Sequence, residues 1–366
     1  MKVLYVTGMY STKYGGMERF IIELLKQGVT LSVVYNNRPQ PEAYFQDLKR
    51  LGAGAYVVHG NIFQRSCETY RIIRREKPDI VHYHFGFIVY FLFLLVRLRY
   101  PRMKQILTQH CEYRYTSFIM KLVTRICYRS LDLVISVSKG VKAGLIEKIG
   151  DSPRFVVSYL GVDRSEIQNK NLKCDLGIPD GCLVLTSIGF DIEVKGFDIL
   201  ARSVSLLKEE RRLPDFKIII VGLNAFENDK FGALVKNLDV AEYFVSVGIR
   251  NDVDDFLSIT DIYLQPSRTE AISLSIMEAL QYGIPVIGTD VGGISEVCVP
   301  NYNGLLVQRE NAKELARTIL RLLTDDTLRT QLGSNSLNLA KNFKRSVNVD
   351  RLIALYRGLL KGSRLK

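Results

Sequence analysis

Short apolar runs alternate with amphipathic stretches from the first residues of the chain: KVLYVTG, the helical spacing of residues 18–27, then TLSVVYN, AYVVHG and DIVHYH. Brief β-branched runs read as strands and the periodic stretches between them as helices. The pattern continues through QILTQH, a helix over 116–129, DLVISVS and RFVVSYLG, which predicts a parallel sheet covered by helices. After Gly161 the chain turns polar, VDRSEIQNKNLKCDLGIPDG, and a second alternation starts at CLVLTSIG. It runs through a helix over 197–208, FKIIIVG, a helix near Ala233, YFVSVG, DIYLQPS, a helix over 273–282, PVIGTD and GLLVQ. From Val347 onward Leu352, Ile353, Leu355, Tyr356 and Leu359 recur at helical spacing, an amphipathic basic helix expected to pack across the domains.

With 366 residues the chain exceeds what a single hydrophobic core holds. The expected fold class is therefore α/β, with two Rossmann-like doubly wound parallel-sheet domains facing a central cleft. Residues 1–165 form the first domain, 166–343 the second, and 344–366 the closing helix. Open α/β sheets bind ligands beyond the carboxyl ends of their strands, so function is sought there.

Charge sharpens this picture. Residues 1–166 hold 25 Lys and Arg against 13 Asp and Glu, and the rest holds 25 of each, so the whole net charge of +12 sits in the first half. That half is expected to meet something anionic: nucleic acid, a phosphorylated acceptor or an acidic membrane surface. A basic surface with no partner is the plain alternative. No base-reading module or aromatic platform accompanies the charge, which ranks nucleic acid last. The six cysteines contain no CxxC pair and read as reduced thiols. The apolar run Val3–Val6 is too short for a signal peptide, and Phe85–Val96 falls well short of the roughly 18 residues a membrane span needs. The expected location is the cytoplasm, with peripheral attachment to the inner face of the membrane as an option. Lys121, Arg125 and Arg129, interleaved with Phe118, Ile119, Leu122 and Ile126, are the candidate membrane contacts.

The sharpest local signal follows DIYLQPS. Glu270 lies in the loop at the strand's end, and Glu278, eight residues on, lies in the first turns of a helix that starts at Ser273 and Leu274. Unpaired N–H groups at such a helix start favour an anion, and a nearby carboxylate can take vicinal hydroxyls. In the loop Gly189–Gly196, Lys195 precedes a helix and is placed to meet phosphate. Gly15 and Gly16 follow the first strand and let a ligand approach the backbone, with Glu18 opening the next helix. Neither a P-loop nor a GxGxxG follows any strand. Asp252 and Asp254 form a DxD string that reads as acid at a helix start rather than as metal ligands. His82 and His84 are expected on opposite faces of one strand, His82 in the core and His84 toward the ligand; His59 carries no signal.

In order along the chain, GGMERFIIEL, KPDIVHYHFG, TQH, DLVISVSKGV, YLGVD, VKGFDIL, PSRTEAISLSIMEAL and GIPVIGTDVGGISEV resemble the family 4 retaining glycosyltransferases of the GT-B fold. The resemblance spans nearly the whole chain. It implies a donor site for a nucleotide sugar, with Glu270 beside the sugar, Glu278 on the ribose, Lys195 on the diphosphate, Gly16 near the phosphates and His110 at the sugar. Glu270, His110 and Lys195 are the implied catalytic set. Gly189, Ser273 and Leu274 join the donor site, and Gly15, Glu18 and His84 the acceptor side. The resemblance implies no metal and no other cofactor, and a glycan or polyprenyl-linked acceptor for cell-surface polysaccharide. Family members usually carry Arg where this chain has Phe190, so one diphosphate cation is missing; Arg268 or Arg250 is the expected substitute. Ala271 stands where Gly is common. Attack from the face of the departing diphosphate and double displacement through a carboxylate both remain open. The competing reading is a non-catalytic domain that binds sugar nucleotide or a partner enzyme.

Overall fold

In the computed structural model the chain folds as two compact units, Met1–Gly161 with Arg345–Lys366 and Val162–Lys344. The structure describes residues 1–8, 14–84, 91–111, 118–210, 213–223 and 230–362.

The first unit holds a seven-stranded sheet: β1 (Lys2–Thr7), β2 (Thr30–Tyr35), β3 (Gly54–Val57), β4 (Ile80–His84), β5 (Lys104–Gln109), β6 (Leu133–Ser136) and β7 (Phe155–Val157), in the order β3-β2-β1-β4-β5-β6-β7. Every pairing is parallel, as in Tyr5 opposite His82 and Thr7 opposite His84. Helices cover both faces of such a sheet, which is why its strands read as continuous apolar runs. Along β1, Val3 and Tyr5 join one core with Phe20, Leu24 and Ile106, while Leu4 and Val6 join the other with Tyr83, Leu107 and Val134.

The second unit carries β8 (Leu183–Ile188), β9 (Phe216–Val221), β10 (Phe244–Ser246), β11 (Ile262–Gln265), β12 (Val286–Thr289) and β13 (Gly304–Val307), all parallel, in the order β10-β9-β8-β11-β12-β13. In each sheet the order reverses once, between β1 and β4 and between β8 and β11. At those switch points the loops leave in opposite directions and open a crevice at the strand ends.

The helices expected between strands are present as Gly16–Lys26, Phe197–Leu207, Lys230–Asn237 and Leu274–Gln281. The helix expected from 116 is described over Phe118–Ser130; 116 and 117 lie outside the described residues. The apolar run from Phe85 falls partly outside them too, and its described part lies in the helix Phe91–Arg99. No helix among the described residues is long and apolar enough to cross a membrane.

The helix Arg345–Leu360 was expected to pack across the domains; it belongs to the first unit. Val349, Leu352, Ile353, Tyr356 and Leu359 are buried in the core that contains Tyr5 and Phe20. Tyr356 Oη lies 2.8 Å from Tyr5 Oη and 2.6 Å from His82 Nδ1, so the hydroxyl of the last helix is satisfied inside the first sheet.

Candidate active site

In the second unit two loops meet at the switch point, one after β8 and one after β11. The β8 loop makes a four-residue helix, Ile192–Lys195, opened by the Asp191 side chain accepting from Val194 N at 2.8 Å. Gly196 ends it with φ +67°, and a Cβ there would fall 2.0 Å from Pro266 O, so only glycine lets the loops approach this closely. The stem of Lys195 crosses Gly189, where a Cβ would lie 2.5 Å from Lys195 Cγ. Lys195 Nζ thereby reaches Glu270 Oε2 at 2.6 Å, with the two side chains 18% and 16% exposed.

Glu270 is fixed from behind. Gly293 N donates to Glu270 O at 3.2 Å, and Gly292, at φ +54°, leaves room where a Cβ would sit 1.6 Å from that same oxygen. Ser273 caps the helix Leu274–Gln281 by accepting from Ile276 N at 3.2 Å. The cap consumes that donor, while the N–H groups of Leu274 and Ser275 still have no acceptor inside the helix. Glu278 stands one turn further on and is half-buried. Below the loop runs a buried polar layer: Tyr263 Oη donates to Gln265 Oε1 at 3.0 Å, Gln265 Nε2 to Ser267 Oγ at 2.6 Å, and Ser273 Oγ to Gln265 Oε1 at 3.2 Å. Burial, reinforced by the charges of Glu278 and Glu270, pushes the Tyr263 phenol up, which places both carboxylates' field on this layer.

Arg268, one of the two expected substitute cations, is engaged within the protein. A guanidinium has five N–H donors, and all five are used: Nη1 donates to Glu193 O and Asp198 Oδ1, each at 2.7 Å, Nη2 to Asp198 Oδ2 at 2.8 Å and Glu310 Oε2 at 3.0 Å, and Nε to Glu310 Oε1. Arg268 N also donates to Val194 O at 2.9 Å. The residue therefore ties the Glu270 loop to the Lys195 loop. Arg250 is engaged as well, its Nε donating to Asp252 Oδ1 at 2.8 Å with a second bond from Nη2 to Oδ2. Asp254 of the same DxD string accepts from Ser165 N at 2.9 Å and Tyr282 Oη at 2.7 Å. Phe190 is 79% exposed.

In the first unit Gly15 is the N-cap of the helix Gly16–Lys26, and its N–H donates to Glu18 Oε2 at 3.0 Å. Glu18 is buried, and its carboxylate organises the helix start. The expectation for His82 and His84 is overturned. Side chains alternate with a period of two, so residues two apart share a face, and the two ring centroids lie 4.1 Å apart with the planes tilted by 36°. His84 is buried, and its Nδ1 lies 3.0 Å from His110 Nε2. His82 bonds Tyr356 through Nδ1 and Thr108 Oγ1, at 2.7 Å, through Nε2. Burial holds His82 and His84 well below the usual histidine range and His110 at about 3, so all three are neutral near pH 7. Sequence reasoning missed the Arg268, Asp198 and Glu310 tie and the Tyr263 layer.

Two sheets with this strand order, each with its candidate residues at the switch point, match known sugar transferases in fold. The solved glycosyltransferase of Rickettsia africae superposes with a TM-score of 0.83 at 22% identity over 99% of both chains. HepE of Anabaena, solved with UDP-glucose, superposes with a TM-score of 0.78 at 18% identity, over 98% of this chain and all of that one. Family models cover both units, Glycosyltransferase Family 4 over residues 14–166 and Glycosyl transferases group 1 over 168–338. The protein is an enzyme of the glycosyl-transferring class with the GT-B fold. It belongs to the family 4, group 1 glycosyltransferases. Among its relatives is the lipopolysaccharide core biosynthesis glycosyltransferase LpsE of Rhizobium meliloti, 25% identical over 96% of this chain and 98% of its own.

Proposed function

We propose that this glycosyltransferase moves a sugar from a nucleoside-diphosphate sugar to a hydroxyl of a lipid-linked glycan, with retention of configuration and without a metal, in the synthesis of a cell-surface polysaccharide or lipopolysaccharide. The observation that carries the reading is the Lys195–Glu270 pair, 2.6 Å apart at the switch point, beside the start of the helix Leu274–Gln281. Lys195 and the helix N–H groups face the diphosphate, Glu278 takes the ribose hydroxyls, and Glu270 orients the sugar. Donor binding replaces each partner of the ion pair by a substrate group of matching polarity. HepE solved with UDP-glucose and LpsE named for lipopolysaccharide support the donor and acceptor classes.

In the reaction the acceptor oxygen bonds to the anomeric carbon on the face the diphosphate leaves. The bond from that carbon to the phosphate oxygen breaks with its electron pair, and the same oxygen takes the acceptor's proton. No strong base is then required. Charge builds on the leaving diphosphate, and Lys195 with the helix start is pre-oriented to stabilise it. To the first unit this reading gives the acceptor, with Gly15 and Gly16 at the backbone approach and neutral His110 as a hydrogen-bond partner of the transferred sugar.

The test is a panel of nucleotide sugars with the purified protein, reading release of nucleoside diphosphate with and without EDTA, beside Glu270→Ala and Lys195→Ala. One active donor, insensitivity to EDTA and loss of at least about a hundredfold in both variants is the expected result. Turnover that stops with EDTA, or survives in Glu270→Ala, defeats the assignment.

A further inference from the structure

A hollow of about 660 Å³ lies at the amino ends of β4 and β5, at the far end of the first sheet from His84 and His110. Three stretches of chain enclose it: the turn from the helix Ile62–Glu76 into β4, the turn from the helix Phe91–Arg99 into β5, and Leu360 at the end of the last helix. Strands rise ~3.3 Å per residue, so β4 separates this hollow from His84 by about 16 Å. It is therefore a place apart from the strand ends to which the acceptor is assigned.

Four cations line it: Arg74, Lys77, Arg99 and Arg102. Among the described residues none of the four is in an ion pair. The carboxylates nearby are taken. Asp79 Oδ2 accepts from Lys2 N at 2.7 Å, while Glu76 accepts from Tyr56 Oη at 2.6 Å and Ser32 Oγ at 3.2 Å and pairs with Lys2 Nζ at 3.1 Å. Cations at the negative end of a helix are ordinary, which accounts for Arg74 and Arg99 in their last turns. It does not account for Arg102, which lies beyond the helix, or for Lys77. That lysine holds a left-handed backbone, φ 45°, at a helix end where glycine is favoured, so a cation is kept there against the cost of its own conformation. The floor differs in character: Met103 is buried and Tyr100 half-buried, with Leu360 at the side.

An occupant has to be anionic toward the cations and apolar toward the floor, and the volume is that of an ordinary small-molecule site. Guanidinium groups take phosphate oxygens in pairs, which favours phosphate over a single carboxylate. We propose that this hollow is a second binding site, for a soluble phosphate monoester whose body is a ring or a short apolar group. The cations take the phosphate, and Tyr100, Met103 and Leu360 the body. The site does not depend on the Lys195–Glu270 reading.

The experiment is isothermal titration calorimetry of the full chain at about 0.15 M salt, with naphthyl phosphate, inorganic phosphate and naphthol as probes. Three variants are compared with the wild type: Arg74→Gln with Lys77→Gln and Arg102→Gln, the single Lys77→Gly, which relieves the left-handed backbone, and Lys195→Ala. The three cations replaced are exposed, and unchanged circular dichroism checks the fold; Lys77→Gly decides alone where the triple variant is misfolded. Expected are saturable binding of naphthyl phosphate about tenfold tighter than of inorganic phosphate, weakening of at least about tenfold in the triple variant and about threefold in Lys77→Gly, and an unchanged constant in Lys195→Ala. Binding that is absent at millimolar probe, equal in wild type and the basal variants, or as strong for naphthol as for its phosphate overturns the proposal. Binding that disappears in Lys195→Ala assigns the probe to the donor site and overturns it equally. Vesicles of phosphatidylglycerol bound in place of the soluble probes, and lost by the triple variant, assign the cations to a bilayer and overturn it too.

Discussion

Replacing Arg268 by alanine should lower turnover more than donor affinity, because all five of its guanidinium donors bond within the protein. Its guanidinium joins Asp198 on the helix Phe197–Leu207, Glu310 beyond β13 and the carbonyl of Glu193, two residues before Lys195. Burial works against the charge on Asp198, yet the Arg268 bonds hold its carboxyl below the usual range, so the pair is mutually stabilising. Side-chain exposures of 26% for Arg268, 23% for Asp198 and 47% for Glu310 put the cost of truncation at about 2 kcal/mol, under the 3–5 of a fully buried pair. That corresponds to a fall in melting temperature of about 4 °C. The catalytic loss is larger, because the tie sets the 2.6 Å approach of Lys195 to Glu270. A misplacement of about 1 Å costs up to roughly a hundredfold in rate. The assay is steady-state kinetics of Arg268→Ala, Asp198→Asn and the double variant on the active donor. Coupled residues give non-additive losses, with a double variant hardly worse than either single one. If Arg268 instead served the diphosphate, freeing it by Asp198→Asn would tighten the donor; that result, or a kcat untouched in Arg268→Ala, would refute the reasoning.

Phe190→Arg should restore the diphosphate cation that the resemblance implies at this position, and about 1.4 kcal/mol of charge-assisted hydrogen bonding would lower the donor KM about tenfold. An unchanged KM would show that the diphosphate lies beyond reach of this loop. The buried histidines make stability pH-dependent. His110, ordinarily 6.5 but held at about 3 by burial, binds its proton more readily unfolded, so its contribution is complete above about pH 6.5 and is lost as pH falls toward 3. Each such histidine adds a slope of about 1.4 kcal/mol per pH unit in that window. Urea midpoints measured from pH 7 to 5 should fall, and less steeply in His110→Asn; a flat profile would mean the site is open to water.

The strands were legible because parallel sheets bury both faces, so runs such as KVLYVT and FKIIIV announce themselves without reference to partners. Glu270, Glu278 and Lys195 were legible as candidates because strand ends and helix starts are local features. The Arg268 tie was not, since Asp198 and Glu310 lie 70 and 42 positions away and a charged residue two before a glutamate reads equally well as surface. The bond from Gly15 N to the Glu18 carboxylate was not legible either, since it depends on where that side chain folds back. The error at His82 and His84 was one of geometry, as their spacing fixes a shared face whatever surrounds them.

The last helix has a consequence for how the chain is made. Val162–Lys344 is continuous and can complete its core as soon as it leaves the ribosome. The first unit cannot, because the surface around Tyr5 and His82 waits for Tyr356, 351 positions after Tyr5. The half that is synthesised first is thus finished last, and through most of translation it exposes the apolar groove that Leu352, Ile353 and Leu359 will fill. A chain truncated before Arg345 and released should therefore be a chaperone client by virtue of its N-terminal unit, with Val162–Lys344 already folded.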